Sequence, residues 1–351
     1  MEEIETKKPE KKEAPKKSIK SFEYDLFSQF VTNDEKHVSN TVEIWECIPK
    51  YFLTPKKCEE LRTPTGHADP YRWDYYYRDT EFSVKIQPAL VEEEDRTYKA
   101  YFPGPTEELV EEVLKKILSD QNFGIHDPEK KETWVKFSLS MIHKELKLMG
   151  RERNRNQIKH AIEVMSSSVL TLYKGKKEIW RGSIIQDLVT VGREEYLSDT
   201  DSLHVARLPL FISQSIDQLD YRQFNYGRLM DCNEQLTRWL YKQLINRYKQ
   251  ANTMNSYHFT YSNVVRDSGL LQRSTERKNR QKLISALEEL KTTGAIISYE
   301  EEVRKEGLRI IDAIYNVTPS LAFISEQKAA NKRSKDAIDA VVIKNIASEN
   351  Q

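Results

Sequence analysis

Two segments of this chain place basic and amide side chains at spacings that suit hydrogen bonding to DNA bases. With about 100° between successive residues of a helix, Lys278, Gln281 and Ser285 share one side, flanked by Arg277 and Lys282. In the major groove, Arg and Lys pair with guanine O6 and N7, and Asn and Gln pair with adenine N6 and N7. The segment is therefore predicted to be a recognition helix, whose N-terminal half contacts base edges.

The other segment begins near Arg153 and divides its faces in the same way. Arg153, Asn156 and His160 lie on the outward side, opposite apolar residues at 158, 161, 162 and 165. Cations at the flanks of both helices suit DNA phosphates, which position a protein without reading sequence. The predicted DNA-binding residues are Arg151, Arg153, Arg155, Asn156, Lys159 and His160 in this segment, and Arg273, Ser274, Thr275, Arg277, Lys278, Arg280, Gln281, Lys282 and Ser285 in the other.

Both segments belong to an internal repeat. Residues 137–173 match residues 259–299 at an offset of 122, which becomes 125 where Arg153-Asn154-Arg155 aligns with Lys278-Asn279-Arg280. Solenoid repeats run about 20 to 50 residues, so the longer offset indicates two copies of one small domain. A single amphipathic helix with a charged outer face is ordinary, whereas two copies in the same context favour DNA binding.

Around the second copy the sequence predicts a helix, a helix-turn-helix and a β-hairpin. The helices are expected at about 233–248, from a cap at Ser262 to near Gly269, and from Ser274 or Thr275 to Gly294. Strands are expected at 295–299 and 308–317, joined by an acidic turn at 300–307. A helix-turn-helix followed by a hairpin is a winged helix.

The first copy is expected to follow the same order. Ser138 or Ser140 caps a short helix, a second helix covers about 153–166, and strands at 169–173 and 178–189 flank the basic turn Lys174–Lys177. A third, apolar strand at 203–212 favours a subunit interface, and Ser166–Ser168 weaken the end of the second helix. The first copy is therefore the weaker candidate for base reading.

The predicted fold class is α+β, with two tandem winged-helix domains preceded by a small α+β domain and a disordered N-terminal tail. The tail contains mainly Lys, Glu and Pro, which cannot bury enough apolar surface to offset ordering. The small domain combines a strand at 81–86 with a helix capped by Thr106 that ends at Ser119. The predicted divisions are 1–20 for the tail, 21–127 for the α+β region, 128–226 and 227–324 for the winged helices, and 325–351 for a polar, partly helical tail.

Composition limits the remaining classes. Lys plus Arg and Asp plus Glu are both 55, so the net charge is zero; this disfavours a nonspecific DNA coat but allows local basic patches. The three cysteines form no CxxC pair, which is typical of a reducing cytosol. No stretch approaches the roughly 20 apolar residues of a membrane span, so we expect a cytoplasmic protein without a membrane partner.

Other reactive residues predict no catalytic, metal or cofactor site. The chain has no GxxxxGK[ST] motif, and its histidines never occur as HxH, HxxxH or HExxH. Tyr75–Tyr77 raise the hypothesis of a DNA-nicking tyrosine, but no paired-histidine site accompanies them. A strand with an aromatic face is the preferred interpretation, and the chain is predicted not to be an enzyme.

The sequence from 233 to 299 resembles theta-type plasmid replication initiators with tandem winged helices, which bind repeated origin sequences called iterons. The likeness rests on LTRWLYKQLINRY, FTYSNVVRDSGL and a basic helix ending in EELKTTGAI. In the first copy it rests on WVKFSLSMIHKELKL and on the strand containing Glu-Ile-Trp. The resemblance covers roughly residues 130–320.

This resemblance implies that the second winged helix reads one iteron through Arg277, Lys278, Gln281 and Lys282. It implies that the first contacts phosphates near 153–159 and carries homodimerisation. The implied partners are double-stranded origin DNA, the host initiator and the replicative helicase, in a bacterial cytoplasm on plasmid or nucleoid DNA. Two alternatives stay open, a winged-helix transcriptional repressor and a winged-helix protein-interaction scaffold.

Overall fold

The computed structural model describes residues 37–120, 123–190, 203–307 and 309–349. These residues form a mixture of helices and small antiparallel sheets, in agreement with the α+β class expected from the sequence. The predicted disordered tail at 1–20 lies outside the described residues.

The first part of the chain is mostly β-structure. Its elements are β1 (Val38–Thr41), α1 (Glu43–Glu46), α2 (Pro55–Leu61), β2 (Tyr71–Tyr77), β3 (Thr80–Gln87), β4 (Ala89–Glu92) and β5 (Tyr98–Tyr101). The predicted aromatic strand and the alternating strand after it are confirmed as β2 and β3, which pair with each other. β4 and β5 form a separate hairpin.

The next part contains the first copy of the repeat. Its elements are α3 (Pro105–Ser119), β6 (Gly124–Asp127), β7 (Glu132–Phe137), α4 (Leu139–Leu148), α5 (Arg155–Ser167), β8 (Val169–Lys174), β9 (Lys177–Gly182), β10 (Asp187–Thr190) and β11 (His204–Arg207). The helices α3, α4 and α5 pack against one another. We call α3, β7, α4, α5, β8 and β9 the first unit.

The last part contains the second copy. Its elements are α6 (Leu210–Asp217), β12 (Arg222–Asn225), α7 (Tyr226–Asp231), α8 (Gln235–Arg247), β13 (Tyr257–Thr260), α9 (Tyr261–Ser268), α10 (Glu276–Thr292), β14 (Ile296–Glu306), β15 (Arg309–Pro319) and α11 (Leu321–Glu349). We call α8, β13, α9, α10, β14 and β15 the second unit. Its order of elements matches that of the first unit, with α3 as the counterpart of α8.

The two units differ in the pairing of their strands. In the second unit β13 pairs with β15, and β15 pairs with β14, so the three strands close one sheet. In the first unit β7 instead joins β6 and β11, while β8 pairs with β3. The sheet β2-β3-β8-β9 therefore crosses the predicted boundary at 127/128.

Several predicted strands and turns are wrong in extent. Residues 178–189 are two strands, β9 and β10, because the chain bends between them to bury Ile184 and Ile185, whose backbone N–H groups both donate to Met165 O. The expected strand at 203–212 ends at Arg207, and α6 follows Pro209. The expected acidic turn at 300–307 lies mostly within β14, so the hairpin is a long ribbon.

The caps were partly predicted. Ser138 caps α4 by accepting from Met141 N at 3.2 Å, which confirms one of the two expected residues. Thr106 does not cap α3, which begins one residue earlier at Pro105. Ser262 does not cap α9 either, because its hydroxyl donates to Asp312 at 2.7 Å while Thr260 accepts from Asn263 N.

Of the polar tail expected at 325–351, residues 325–349 belong to the long helix α11. α11 buries Phe323 and Ile324 against the rest of the chain. Glu326 accepts from Arg228 and from Asn225 Nδ2. The apolar and ionic contacts together dock the helix.

A buried network of charges joins the two units. Lys115 on α3 and Lys242 on α8 both contact Glu46 and Glu112, with Lys242 Nζ 2.7 Å from Glu46 Oε2 and 2.5 Å from Glu112 Oε1. All four side chains are at most 9% exposed. Each charge has oppositely charged neighbours, which a buried charge requires.

Candidate nucleic-acid interface

The helix-turn-helix of the second unit consists of α9 and α10. α9 ends at Gly269, whose φ of +63° is the left-handed conformation that glycine adopts at little cost. A Cβ at this position would also lie 2.8 Å from the ring of Phe52. Thr275, rather than Ser274, caps α10 by accepting from Lys278 N at 3.4 Å.

α10 is anchored through one face. Leu283, Ala286, Leu287 and Leu290 are buried with at most 1% exposed, as the spacing predicted. The opposite face carries side chains that are exposed to solvent, namely Arg277, Lys278, Gln281 and Ser285. The N-terminal half of α10 therefore presents two cations and an amide on a rigid surface.

α10 is one helical turn longer than its counterpart at its N-terminus. α5 has 13 residues and α10 has 17, and Asn154, which aligns with Asn279, is the N-cap of α5. The additional turn of α10 carries Arg277 and Lys278. The aligned Arg153 of the first unit precedes its helix and has no helical scaffold.

Asn279 is a structural residue that the sequence did not distinguish from its basic neighbours. It is 8% exposed. Its Oδ1 accepts from Arg273 N at 2.7 Å and its Nδ2 donates to Arg273 O at 3.4 Å. These bonds hold the turn between α9 and α10 against α10. They thereby fix the position of the Arg273 backbone at the protein surface.

Two predicted binding residues of α10 are engaged inside the protein. Arg280 donates to Glu301 of β14, and this hydrogen bond raises the pKa of Arg280. Lys282 Nζ donates to Leu270 O at 3.1 Å. Burial lowers the pKa of Lys282; attraction by Glu234 opposes this change and repulsion by Arg273 adds to it.

The predicted outward face of α5 is partly covered. Ile158, Ala161 and Met165 are buried in the core as expected. The hairpin β4–β5 packs on the neighbouring side of α5, where the Tyr101 ring meets the His160 ring edge-on at 4.5 Å between centroids. The exposed remainder of the face includes Asn156 and Lys159.

Arg151 and Arg153, which precede α5, are held by hydrogen bonds within the protein. Arg151 donates through Nε to Met230 O at 2.7 Å and through a terminal nitrogen to Asn233 Oδ1 at 2.6 Å. Arg153 donates to Glu152 O at 2.9 Å. Arg155 is exposed, with a 3.4 Å contact to Ser140 Oγ. The first unit therefore presents fewer unengaged cations at its helix than the second.

The N-terminal part of the chain positions α9. Trp73 Nε1 donates to Arg266 O at 2.7 Å, and Tyr76 N donates to Asp267 Oδ1 at 3.0 Å. Arg266 also stacks over the Tyr76 ring at 4.0 Å. Because β3 of the same hairpin pairs with β8, this hairpin holds the first unit to the second.

Within the described ranges, no group of three or more His, Cys, Asp or Glu side chains is arranged to hold a metal ion. In the same ranges, no helix has the length and apolarity of a membrane span. In the aromatic strand that contains Tyr75–Tyr77, Tyr75 is buried, and the half-buried ring of Tyr76 is covered by the guanidinium group of Arg266.

Comparison with known proteins gave structural neighbours only. No protein-family model matches the chain, and no curated protein matches it. Two solved structures of domains 2 and 3 of RctB have TM-scores of 0.45, at 12% and 11% identity, covering 74% and 77% of this chain and 94% and 97% of theirs. A structure of the Pi initiator protein in complex with iteron DNA has a TM-score of 0.35 at 12% identity, covering 82% of this chain and all of the other.

Proposed function

We propose that this chain is a sequence-specific DNA-binding replication initiator that recognises direct repeats (iterons) in a plasmid origin. The observation that supports this proposal is the division of α10 into a buried apolar face and an exposed polar face. Its buried face anchors the helix, while Arg277, Lys278, Gln281 and Ser285 stand exposed along the first half of the other face. Arg, Lys and Gln at such positions suit base edges in the major groove.

The tandem winged-helix arrangement is part of this proposal. The second unit has three helices and a three-stranded sheet whose last two strands form the wing-like hairpin. The first unit repeats the order of elements, although its hairpin pairs with β3. The sequence resemblance between residues 130–320 and tandem winged-helix initiators supports the same assignment.

We further propose that the two units contact different parts of the DNA, the bases and the phosphates. The second unit reads bases, because the additional turn of α10 projects Arg277 and Lys278. The first unit contacts phosphates through Arg155 and Lys159, because β4–β5 covers the side of α5 that carries His160. The basic turn Lys174–Lys177 is exposed and is suited to contact the same DNA sugar-phosphate backbone.

Homodimerisation through the predicted first winged-helix domain (128–226) is proposed at β10. Among the strands that the structure describes, β10 lies at the edge of the sheet β10-β11-β7-β6, and it exposes Leu188 and Val189. Exposed apolar residues on an edge strand favour pairing with another chain. Binding of a host initiator and of the replicative helicase is proposed from the sequence resemblance alone.

A DNase footprint on the replicon that carries the gene tests this function. We expect regularly spaced protection over tandem direct repeats, in the presence of competitor DNA and with a strong dependence on salt. The matched control is the Lys278→Ala/Gln281→Ala double variant, which should lose the pattern while retaining nonspecific binding.

Other footprints distinguish the alternatives. Protection of one palindrome in the promoter would favour a transcriptional repressor. An absence of protection at low salt would reject DNA binding and leave the units as protein-interaction modules.

A further inference from the structure

We infer that a groove between the two units binds one phosphate of the DNA backbone as the strand passes from α5 to α10. The inference rests on the proposed DNA-binding function and adds a contact site to it. The groove has a volume of about 490 Å³. It is bounded by the turn before α5, by the start of α8 and by Lys282 of α10.

Cations from three separate parts of the sequence meet in this groove. Arg151 and Arg153 come from the turn of the first unit, Arg238 comes from α8, and Lys282 comes from α10. The rest of the lining includes Gly150 and Asn233 together with the apolar side chains of Pro105 and Leu109. A site lined in this way suits a phosphate, since guanidinium and ammonium groups both donate hydrogen bonds to its oxygens.

The arginines are already oriented by the protein. Arg151 is held by Met230 O and by Asn233 Oδ1, and Arg153 by Glu152 O. Arg238 is 2% exposed and donates to Cys232 O, Asn233 O and Glu108, yet its buried Nε has no hydrogen-bond partner among the described residues. The groove thus presents arginines that the protein has already oriented, while Nε of Arg238 is buried away from solvent.

Some positive charges at the groove repel one another, since Arg238 acts on Arg151 and Arg273 acts on Lys282. Glu108 neutralises Arg238, with 2.7 Å between Oε2 and a terminal nitrogen. Glu152 lies 3.6 Å from Lys147 and 4.0 Å from His143, so its charge is shared with α4. Glu234 is exposed and attracts Lys282, and Glu289 attracts Arg151. An arriving phosphate would relieve repulsion among the remaining cations.

Continuity with the proposed interface selects DNA over a free phosphorylated molecule. The same turn that supplies Arg153 leads into Asn154, the N-cap of α5. Lys282 follows Gln281 on the proposed recognition helix. The groove therefore lies between the turn that leads into α5 and Lys282 of α10. A DNA strand that runs from one helix to the other would pass over it.

The test uses the full-length protein and the duplex defined by the footprint. Arg153→Gln and Lys282→Gln should each lower the slope of log K against log salt by about 0.9, which corresponds to roughly fivefold weaker binding near 0.15 M salt. Lys328→Gln, an exposed lysine of α11 outside the groove, should leave the slope unchanged. Lys282→Arg keeps the positive charge, so this variant should retain the wild-type salt slope.

Neutral methylphosphonates introduced one at a time along the duplex identify the phosphate itself. One substitution should weaken the wild type about fivefold and have no further effect on the Arg153→Gln/Lys282→Gln double variant. If every methylphosphonate acts equally on both proteins, the groove contacts no phosphate and the inference is wrong.

Two further results separate the possible failures. If wild type binds iteron DNA but both glutamine variants keep its salt slope, the groove inference fails and the proposed function stands. If wild type shows no salt-dependent DNA binding, both fail. Binding of pyrophosphate that depends on Lys282, without any change in the DNA salt slope, would assign the groove to a small phosphorylated molecule and overturn our choice of DNA.

Discussion

At the scale of single residues, the candidate DNA-binding cations differ in whether they already have hydrogen-bond partners inside the protein. Arg277 and Lys278 are exposed on a rigid helix, whereas Arg280 is bonded to Glu301 and Arg151 to Met230 O. A side chain with internal partners must break or share those bonds to reach a base. We therefore expect base reading to depend on the exposed face of α10.

Replacing Lys278 and Gln281 by alanine should relax sequence specificity. Each lost bidentate base contact should cost about 1 to 3 kcal/mol of discrimination between the correct site and a mismatched site. Competition binding with matched and mismatched duplexes measures this difference. The control is Lys291→Ala, near the end of the same helix, which should retain specificity; unaltered discrimination in the double variant would mean that another face reads the bases.

At the scale of elements, the start of α10 determines where its cations project. The additional helical turn of α10 requires a stable connection between α9 and α10. Asn279 stabilises this connection by hydrogen bonding to both the backbone N–H and the backbone C=O of Arg273. The equivalent Asn154 performs a different task, because it caps α5 directly. One aligned asparagine thus begins a short helix and the other supports the start of a long one.

Asn279→Ala should destabilise the protein by about 1 to 3 kcal/mol, since it removes both hydrogen bonds between the buried Asn279 side chain and the backbone of Arg273. Asn156→Ala, on an exposed position of α5, should change stability by less than about 0.5 kcal/mol. Urea denaturation of the two variants gives both values. Equal stabilities would show that the asparagine does not hold the turn.

At the scale of the whole molecule, ion pairs buried between the two units connect them. Glu46 lies between Lys115 and Lys242, and Glu108 pairs with Arg238 across the same contact. The hairpin β2–β3 adds a second connection, through β8 on one side and α9 on the other. These contacts connect the part of the chain that carries α5 to the part that carries α10.

Lys242→Met should destabilise the protein by about 3 to 5 kcal/mol, because it leaves Glu46 and Glu112 buried with one fewer cation. Lys328→Met on the exposed side of α11 should have an effect within about 0.5 kcal/mol. Thermal or urea unfolding of both proteins checks the expectation. A loss below 1 kcal/mol for Lys242→Met would indicate that water reaches the network.

The same network predicts a pH dependence. Burial opposes ionisation of Glu46, but attraction by Lys115, Lys242 and Lys50 outweighs it and holds the pKa of Glu46 well below its usual value. Because the folded-state pKa is depressed, the stabilisation is present above the unfolded pKa of about 4.3 and is lost as the pH falls further.

Glu46→Gln should therefore be less stable than wild type at neutral pH, and the difference should shrink as the pH falls below about 4. Urea midpoints across this range measure the gap. A difference independent of pH would mean that Glu46 stabilises the fold without its charge.

The sequence by itself determined the local features of this protein. Helical spacing identified the buried faces of α5 and α10, because the periodicity of apolar residues is a property of one segment. The same spacing selected the exposed residues at 277, 278, 281 and 285. The two copies of the repeat and the order of helices in the second unit were also predicted.

Only the tertiary structure decided which strands pair and which polar residues are engaged. The pairing of β3 with β8, the burial of Asn279 and the convergence of Arg151, Arg153 and Lys282 each join residues far apart in the chain or hidden by a turn. Sequence periodicity reports the faces of one segment and not its partner, since the partner is chosen by packing of the whole chain. For that reason, the groove between the units could not be read from the spacing of its residues.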